Sequence, residues 1–163
     1  MKIKNRHRLK SKEIKKMLDD LKSVYSCAFF TEEDSVETGD FDGVKMVLID
    51  NHPYFMYLND ILFFTLSGLE RYKPKERFVT VDMGAVKFVT NGADVMAPGI
   101  VDADRNIVEN DRVWICDERN HKPLAVGIAL MSGDQMISEK KGKAISLVHF
   151  VGDRLWNFVA KSL

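Results

Sequence analysis

The chain has 163 residues, of which 45% are hydrophobic and 29% are charged, and its 24 Lys and Arg residues balance 24 Asp and Glu residues. This composition supports a packed core and excludes a collagenous or wholly disordered chain. The longest stretch without a charged residue, Pro123 to Gly133, is too short for a membrane span, which needs about 20 apolar residues. No apolar segment follows the N-terminal charges, so we expect no secretory signal.

The two cysteines, Cys27 and Cys116, lie far apart in the sequence and predict neither a disulfide framework nor a metal knuckle. We therefore expect a soluble, cytoplasmic protein in a reducing compartment. Each cysteine is predicted to pack as a small core residue, since free cysteines are commonly buried.

Charge is segregated along the chain although the total is balanced. Residues 1–24 contain nine Lys and Arg residues and three acidic residues, whereas residues 31–42 contain six acidic residues and no Lys or Arg. Two interpretations remain open at this point. The basic segment could meet a phosphate backbone, or the two segments could solvate each other.

The first half of the chain predicts a helix followed by a small sheet. Apolar residues recur at helical spacing after Ser11, which we predict as the N-cap, and this helix ends near Cys27. The acidic stretch around Gly39 and Gly43 is predicted to be a loop. Three apolar runs then predict an antiparallel sheet covered by one or two helices: Val44 to Ile49, Tyr54 to Leu58 and Ile61 to Leu66.

Turn residues define the hairpin and the domain boundary. The Asn59-Asp60 link between the last two runs tolerates positive φ and predicts a tight hairpin. The stretch from Tyr72 to Glu76 is polar and contains a proline, and the residue pattern after it is mostly that of short strands. We therefore predict an N-terminal domain of residues 1–75 and a C-terminal domain of residues 76–163.

The second half predicts mostly short strands. After a strand from Arg77 to Asp82, Asp82 is expected to cap a short helix, Gly84 to Asn91, and Gly92 stands where a left-handed residue ends a helix. The later strand candidates are Val95 to Val101, Arg112 to Cys116, Ala125 to Met131, Ala144 to His149 and Leu155 to Val159. Their spacing is typical of a compact barrel.

Motifs of catalysis and metal binding are missing from the sequence. It contains no glycine-rich phosphate loop, no nucleophile elbow and no zinc-protease helix motif, and its four histidines are scattered. The run Asp102-x-Asp104-x-Asn106 begins like a calcium loop, but Ile107 stands where glycine is required and Val113 where glutamate is required. We predict no enzyme activity, no metal and no cofactor.

Three sequence blocks point to a known family. They are Asp82 to Ile100 (DMGAVKFVTNGADVMAPGI), Asn110 to Ile115 (NDRVWI) and His149 to Trp156 (HFVGDRLW). In this order they resemble the PUA domain, an RNA-binding module named after pseudouridine synthases and archaeosine transglycosylases. Asn110 departs from the glycine that many relatives carry, which is a mild difference in a turn.

The first and last blocks together are most similar to a narrower group. That group comprises archaeal PUA proteins and the eukaryotic malignant-T-cell-amplified-sequence and ligatin translation factors, in which a small α/β domain precedes the PUA domain. The resemblance implies an α+β fold: a small N-terminal α/β (pre-PUA) domain followed by a C-terminal, mostly-β PUA pseudo-barrel.

The resemblance also implies where RNA binds, namely along the helix after the first strand, the Gly-Ala turn and the adjacent strand edge. The residues assigned to this site are Lys87, Asn91, Gly92, Ala93, Pro98, Gly99, Lys143 and Arg154. Gly92 would let a nucleotide approach the backbone closely. Trp156 is expected to be a core residue on a strand, while His149 is either a structural hydrogen-bond partner or an RNA contact.

The predicted function is RNA binding without catalysis, in translation (initiation or ribosome recycling) or in ribosome biogenesis. The expected partners are structured RNA (tRNA or small-subunit rRNA), the small ribosomal subunit and a protein with an initiation-factor-one-like domain, and no membrane. An alternative is a specificity subunit that acts in trans in pseudouridine or archaeosine formation.

Overall fold

In a computed structural model that describes residues 2–161, the chain divides into two compact units between Pro74 and Lys75. Unit 1 contains five strands and two helices. In chain order they are β1 (Lys4–Arg8), α1 (Ser11–Tyr25), β2 (Val36–Phe41), β3 (Val44–Ile49), β4 (His52–Leu58), β5 (Ile61–Phe64) and α2 (Leu66–Tyr72). The strands form one antiparallel sheet in the order β1-β2-β3-β4-β5.

The sheet of unit 1 has five strands where the sequence predicts three. The acidic stretch predicted as a loop forms β2, which buries Val36 and Thr38 and pairs with β3 along its full length. β1 has no apolar residue and is fully exposed, so only its pairing with β2 makes it a strand. The hairpin at Asn59 and Asp60 is confirmed, since both residues have positive φ.

The N-cap of helix α1 lies one residue earlier than predicted. Lys10, not Ser11, occupies the N-cap position, and its backbone N–H donates to Glu13 Oε1 at 3.2 Å. Ser26 has a φ of 59° and ends the helix, so Cys27 lies in the following loop and is exposed. The prediction that Cys27 is a core residue is therefore wrong.

An aromatic cluster fills the interior of unit 1 between its helices and its sheet. Phe64 lies in edge contact with Tyr25 of α1 and with Phe29 in the loop, and it contacts Phe55 on the neighbouring strand. Tyr72 of α2 packs on Phe55 with ring centroids 5.8 Å apart, and burial raises the pKa of Tyr72 to about 12. Such aromatic contacts add to the free energy gained by burial alone.

Unit 2 contains a six-stranded sheet and three helices. The elements are β6 (Phe78–Val81), α3 (Met83–Val89), β7 (Val95–Met96), a 3-10 turn (Ala97–Gly99), β8 (Ile100–Ala103), β9 (Arg112–Asp117), β10 (Pro123–Ala129), α4 (Gly133–Ser138), β11 (Lys143–Phe150) and α5 (Arg154–Lys161). The strand order is β7-β11-β10-β9-β6-β8, and only the β6–β9 pair is parallel within the described sheet.

Two predictions about the elements of unit 2 are wrong. The strand expected from Leu155 to Val159 is helix α5, which buries Leu155 and Val159 on one side. The strand expected from Val95 to Val101 is interrupted by the 3-10 turn, because Pro98 cannot donate to a strand ladder. Helix α4 is not predicted at all. The α+β class is confirmed by both units.

The core of unit 2 is one cluster of apolar residues from its strands and from α3 and α4. Val79, Ile115, Ala125 and Ile145 are fully buried in it. Cys116 is also buried, as predicted, and burial raises the pKa of its thiol. A buried thiol with a raised pKa is a poor nucleophile.

Candidate functional site

Helix α3 is held at both ends by short-range contacts that the sequence specifies. At its start, the Asp82 carboxylate accepts a hydrogen bond from the Ala85 backbone N–H at 2.8 Å. After its end, Gly92 has a φ of +85°, and a Cβ added there would lie 2.7 Å from the Phe150 ring. Gly92 is therefore required by its backbone conformation and by its packing on Phe150.

A groove lies between α3 and the 3-10 turn. It has a volume of about 480 Å³, and its lining includes Ala85, Ala93, Pro98 and Gly99. Two large apolar side chains stand at its surface and also line it: Phe88 is 57% exposed and Met96 is 49% exposed. An apolar groove with exposed aromatic and thioether side chains is unusual on a protein surface and points to a ligand.

The charges around the groove are mixed. The Lys87 ammonium lies 5.3 Å from the centre of the Phe88 ring, in cation–π distance. Lys143 pairs with Asp94 at 3.1 Å, and Asp94 also lines the groove. The hydrogen bond from the Leu147 N–H lowers the pKa of Asp94, and Lys143 lowers it further, although burial opposes both. Asp94 therefore stays ionised and partly neutralises Lys143.

Comparison with known proteins now assigns both units. Residues 77–151 match the model of the PUA domain, and residues 5–72 match that of a domain of unknown function, DUF1947. A protein of Methanocaldococcus jannaschii, itself uncharacterized, is 43% identical over 160 residues that cover 97% of this chain and 99% of the relative. Translation machinery-associated protein 20 of Saccharomyces cerevisiae is 32% identical, covering 72% of this chain and 68% of its own.

Two further relatives agree with this assignment. Malignant T-cell-amplified sequence 1-A of Xenopus laevis is 32% identical over 129 residues, covering 71% of each chain. A crystal structure of a hypothetical protein from Pyrococcus horikoshii superimposes with a TM-score of 0.87 at 35% identity, covering 94% of this chain and 99% of that one. The chain belongs to this family of pre-PUA and PUA proteins. The resemblance drawn from the three sequence blocks is confirmed.

Within the PUA domain, the structure brings together part of the predicted site. Ala93, Pro98 and Gly99 line the groove, and Lys87 lies against its exposed Phe88. Lys143 is connected to the groove through Asp94.

The other predicted site residues lie outside the groove lining. Asn91 is exposed and Gly92 is half-buried in the turn that follows α3. Arg154 begins α5 and is not among the residues that line the groove. Pro98 and Gly99 belong to a 3-10 turn instead of a strand end, which corrects the predicted strand edge.

The sequence prediction of the site does not include the two large exposed apolar residues of the groove, Phe88 and Met96. Both sit inside the block that carries the family resemblance, and Phe88 is next to the predicted Lys87. A signal was present for Phe88, because it follows the polar Lys87 in a short helix. Its exposure could have been inferred from its position next to Lys87 in a helix whose buried residue is Val89.

The ambiguous residues His149 and Trp156 have structural roles in the PUA domain. His149 is buried, and its Nδ1 lies 2.7 Å from Asp153 Oδ2. Trp156 is half-buried on helix α5 and not on a strand, and its backbone N–H donates to Asp153 Oδ1. The expectation of a strand-borne core tryptophan is therefore wrong.

The calcium-like run forms a hydrogen-bonded turn. Asp104 accepts hydrogen bonds from the backbone N–H groups of Arg77 and Asn106. Within residues 2–161 no group of three His, Cys, Asp or Glu side chains is arranged to hold a metal ion. Over the same residues, every helix is too short or too polar to cross a membrane.

Proposed function

We propose that this chain is a cytoplasmic, non-catalytic RNA-binding protein that acts in translation. Three of its features support this proposal: the PUA match, relatives named for the translation machinery, and the groove beside α3. The groove is the strongest of the three, because an exposed aromatic ring can stack on a base while the adjacent lysine contacts a phosphate. The ligand would be tRNA or small-subunit rRNA, docked mainly by shape and backbone contacts, with one unpaired base in the groove.

The lining of the groove favours an unpaired nucleotide over a duplex. Most of the residues that line it are apolar, and the charged ones, Asp82 and Asp94, are acidic. Such a lining disfavours a phosphate, because it desolvates and repels a negative charge. A base has an apolar face and would stack on Phe88, with Met96 on the rim. Lys87 would then meet the phosphate next to that base, and Lys141 on the exposed loop adds further charge.

A protein that only docks RNA works together with partners. The binding of an initiation-factor-one-like protein and of the small ribosomal subunit belongs to this proposal, with initiation, recycling or ribosome biogenesis as the process. A specificity role in RNA modification remains the alternative. Stable co-purification with a modification enzyme instead of with ribosomal particles would favour that alternative.

The test is a salt titration of binding to purified tRNA and to small-subunit rRNA fragments, with two groove variants. We expect Phe88→Ala to weaken binding about 5- to 100-fold, as loss of one stacked base does. Lys87→Glu should weaken binding without unfolding the protein and reduce the salt slope by about 1.

Val108→Ala provides the matched control, since Val108 is also apolar and 58% exposed but does not line the groove. It should bind like the wild type. Failure of the wild type to bind either RNA at low salt would overturn the proposed function. Unchanged binding by folded Phe88→Ala and Lys87→Glu variants would remove the groove from it.

A further inference from the structure

Helix α1 of unit 1 carries a group of lysines on its exposed side. Its buried residues are Ile14, Met17, Leu21 and Tyr25, and they fix which side of the helix faces the interior. Three exposed lysines follow the spacing i, i+3, i+4, which places neighbouring Cβ atoms about 5–6 Å apart. We call these residues the α1 lysine patch: Lys12, Lys15 and Lys16.

The α1 lysine patch has no ion-pair partner in the part of the chain that the structure describes. The basic residues 2–24 meet the acidic residues 31–42 in the ion pair of Arg6 with Glu37, at 2.7 Å. Asp34 instead accepts from the Thr31 N–H in its own turn. Lys15 lines a shallow groove together with Glu32 and Glu33, but within residues 2–161 no ion pair joins a lysine of the patch to the acidic segment.

The position of the patch also costs helix stability. Lys12 lies in the first turn of the helix, where an exposed cation is disfavoured by the helix dipole by about 0.3–1 kcal/mol. Lys12 and Lys16 repel each other at i, i+4 spacing. Lys15 and Lys16 stand four residues before Asp19 and Asp20, which is the weaker orientation for a helical pair. Folding alone gives no reason for this arrangement, whereas an anionic ligand does.

We propose that the α1 lysine patch is a second RNA-binding surface, which contacts phosphates of the RNA that the PUA domain docks. This inference rests on the proposed function and assigns part of the RNA affinity to unit 1. Three flexible ammonium groups neutralise phosphates without reading bases, so the patch adds affinity and not sequence specificity.

The chemistry of α1 favours RNA over an acidic protein as the ligand. Protein interfaces have an apolar or aromatic centre. Among the described residues, the exposed large apolar side chains are Ile61, Phe88, Met96, Val101, Val108 and Leu130, and α1 contains none of them. A row of exposed lysines without large apolar side chains matches a chain of regularly spaced phosphates, whose binding depends on charge.

The experiment compares two triple variants of the full chain, each of which loses three positive charges. The first is Lys12→Gln/Lys15→Gln/Lys16→Gln, which keeps helix propensity. The matched control neutralises three exposed lysines elsewhere: Lys45→Gln, Lys73→Gln and Lys75→Gln. Binding to purified tRNA is measured over a range of salt concentrations, and circular dichroism checks folding.

We expect the patch variant to reduce the slope of log K against log salt by about 2–3, since each lost phosphate contact removes about 0.7–0.9. The control should keep the wild-type slope. Equal reductions in both variants would show an effect of net charge and contradict the patch. A wild-type slope in the patch variant, while the wild type binds tRNA, would refute the patch and leave the proposed function standing. Absence of wild-type binding would refute both.

Discussion

At the scale of the residue, Asp153 fastens the last strand of the PUA domain to its C-terminal helix. Its Oδ2 accepts from the Phe150 N–H and lies 2.7 Å from His149 Nδ1, and its Oδ1 accepts from the Trp156 N–H. Burial alone would raise the pKa of Asp153. The hydrogen bond and charge of His149, with the two backbone donors, outweigh burial and lower the pKa below the usual 3.8.

This lowered pKa predicts a pH dependence of stability. A carboxyl whose pKa is lower in the folded protein stabilises it above the unfolded pKa of about 3.9, and the effect is lost as pH falls through the folded pKa. We therefore expect Asp153→Asn to lower the free energy of unfolding by about 1–3 kcal/mol at pH 7 and by less near pH 3. Denaturant unfolding followed by tryptophan fluorescence measures this, because Trp114 and Trp156 both lie in unit 2.

Asp134→Asn is the control for this prediction, since Asp134 is exposed and its ion pair with Arg105 is long, at 3.8 Å. It should change stability little at either pH, as surface pairs contribute little. A loss that is the same size at pH 7 and pH 3 in Asp153→Asn would argue against an ionised Asp153 as the source.

At the scale of the element, α2 approaches β4 through a glycine. A Cβ added at Gly68 would overlap the Tyr54 carbonyl oxygen, so no side chain fits between the helix and the strand. Thr65 fixes the same junction: its hydroxyl accepts from the Gly68 N–H and donates to the Pro53 carbonyl oxygen at 2.8 Å. Helix α2 therefore has one permitted position on the sheet.

We predict that Gly68→Ala destabilises unit 1 by about 1–3 kcal/mol, the usual cost of overpacking. Helix propensity alone predicts the opposite sign, since Ala is favoured over Gly by about 1 kcal/mol in a helix. Near-ultraviolet circular dichroism of the tyrosines reports on unit 1, which contains Tyr25, Tyr54, Tyr57 and Tyr72. Ser67→Ala, at the neighbouring half-exposed position, should not destabilise. A stabilised Gly68→Ala variant would contradict the close approach.

The helices and strands that the sequence predicts are those with apolar periodicity, whereas the others form only through contacts with neighbouring elements. β3 and β4 are rich in apolar residues and are predicted, whereas β1 is a strand only because β2 pairs with it. The α5 segment LWNFV has apolar residues at positions that fit a strand as well as a helix over so short a length. The Asp153 carboxylate accepts from the Trp156 N–H at the start of the helix, and its contact with His149 ties that start to the end of β11.

The sequence predicts the site residues that belong to the family motif, but not those that line the groove only because of how the surface is shaped. Ala93, Pro98 and Gly99 come from the family block and do line the groove. Phe88 and Met96 are apolar, and sequence patterns assign apolar residues to a core by default. Met96 directly precedes the 3-10 turn, where the sequence predicts one continuous strand, and both Phe88 and Met96 are exposed.

At the scale of the whole molecule, the two units divide the proposed binding task by chemistry. The PUA groove has a mostly apolar lining and an aromatic ring, so in the proposed function it binds an unpaired base. The α1 lysine patch has charge alone, so it responds to any phosphate backbone. Salt therefore weakens the contribution of unit 1 more than that of the groove, and the two contributions can be separated in one titration.

This division predicts that the two losses are additive. The α1 patch and Phe88 belong to different units, so the binding free energies lost in Phe88→Ala and in the triple lysine variant should sum within about 0.5 kcal/mol. A double-mutant cycle on tRNA binding at one salt concentration measures the sum, with Val108→Ala in place of Phe88→Ala as the control cycle. A combined loss no larger than that of Phe88→Ala alone would mean that the patch binds only when the groove is occupied. RNA would then dock on the groove first and reach α1 in a second, dependent step.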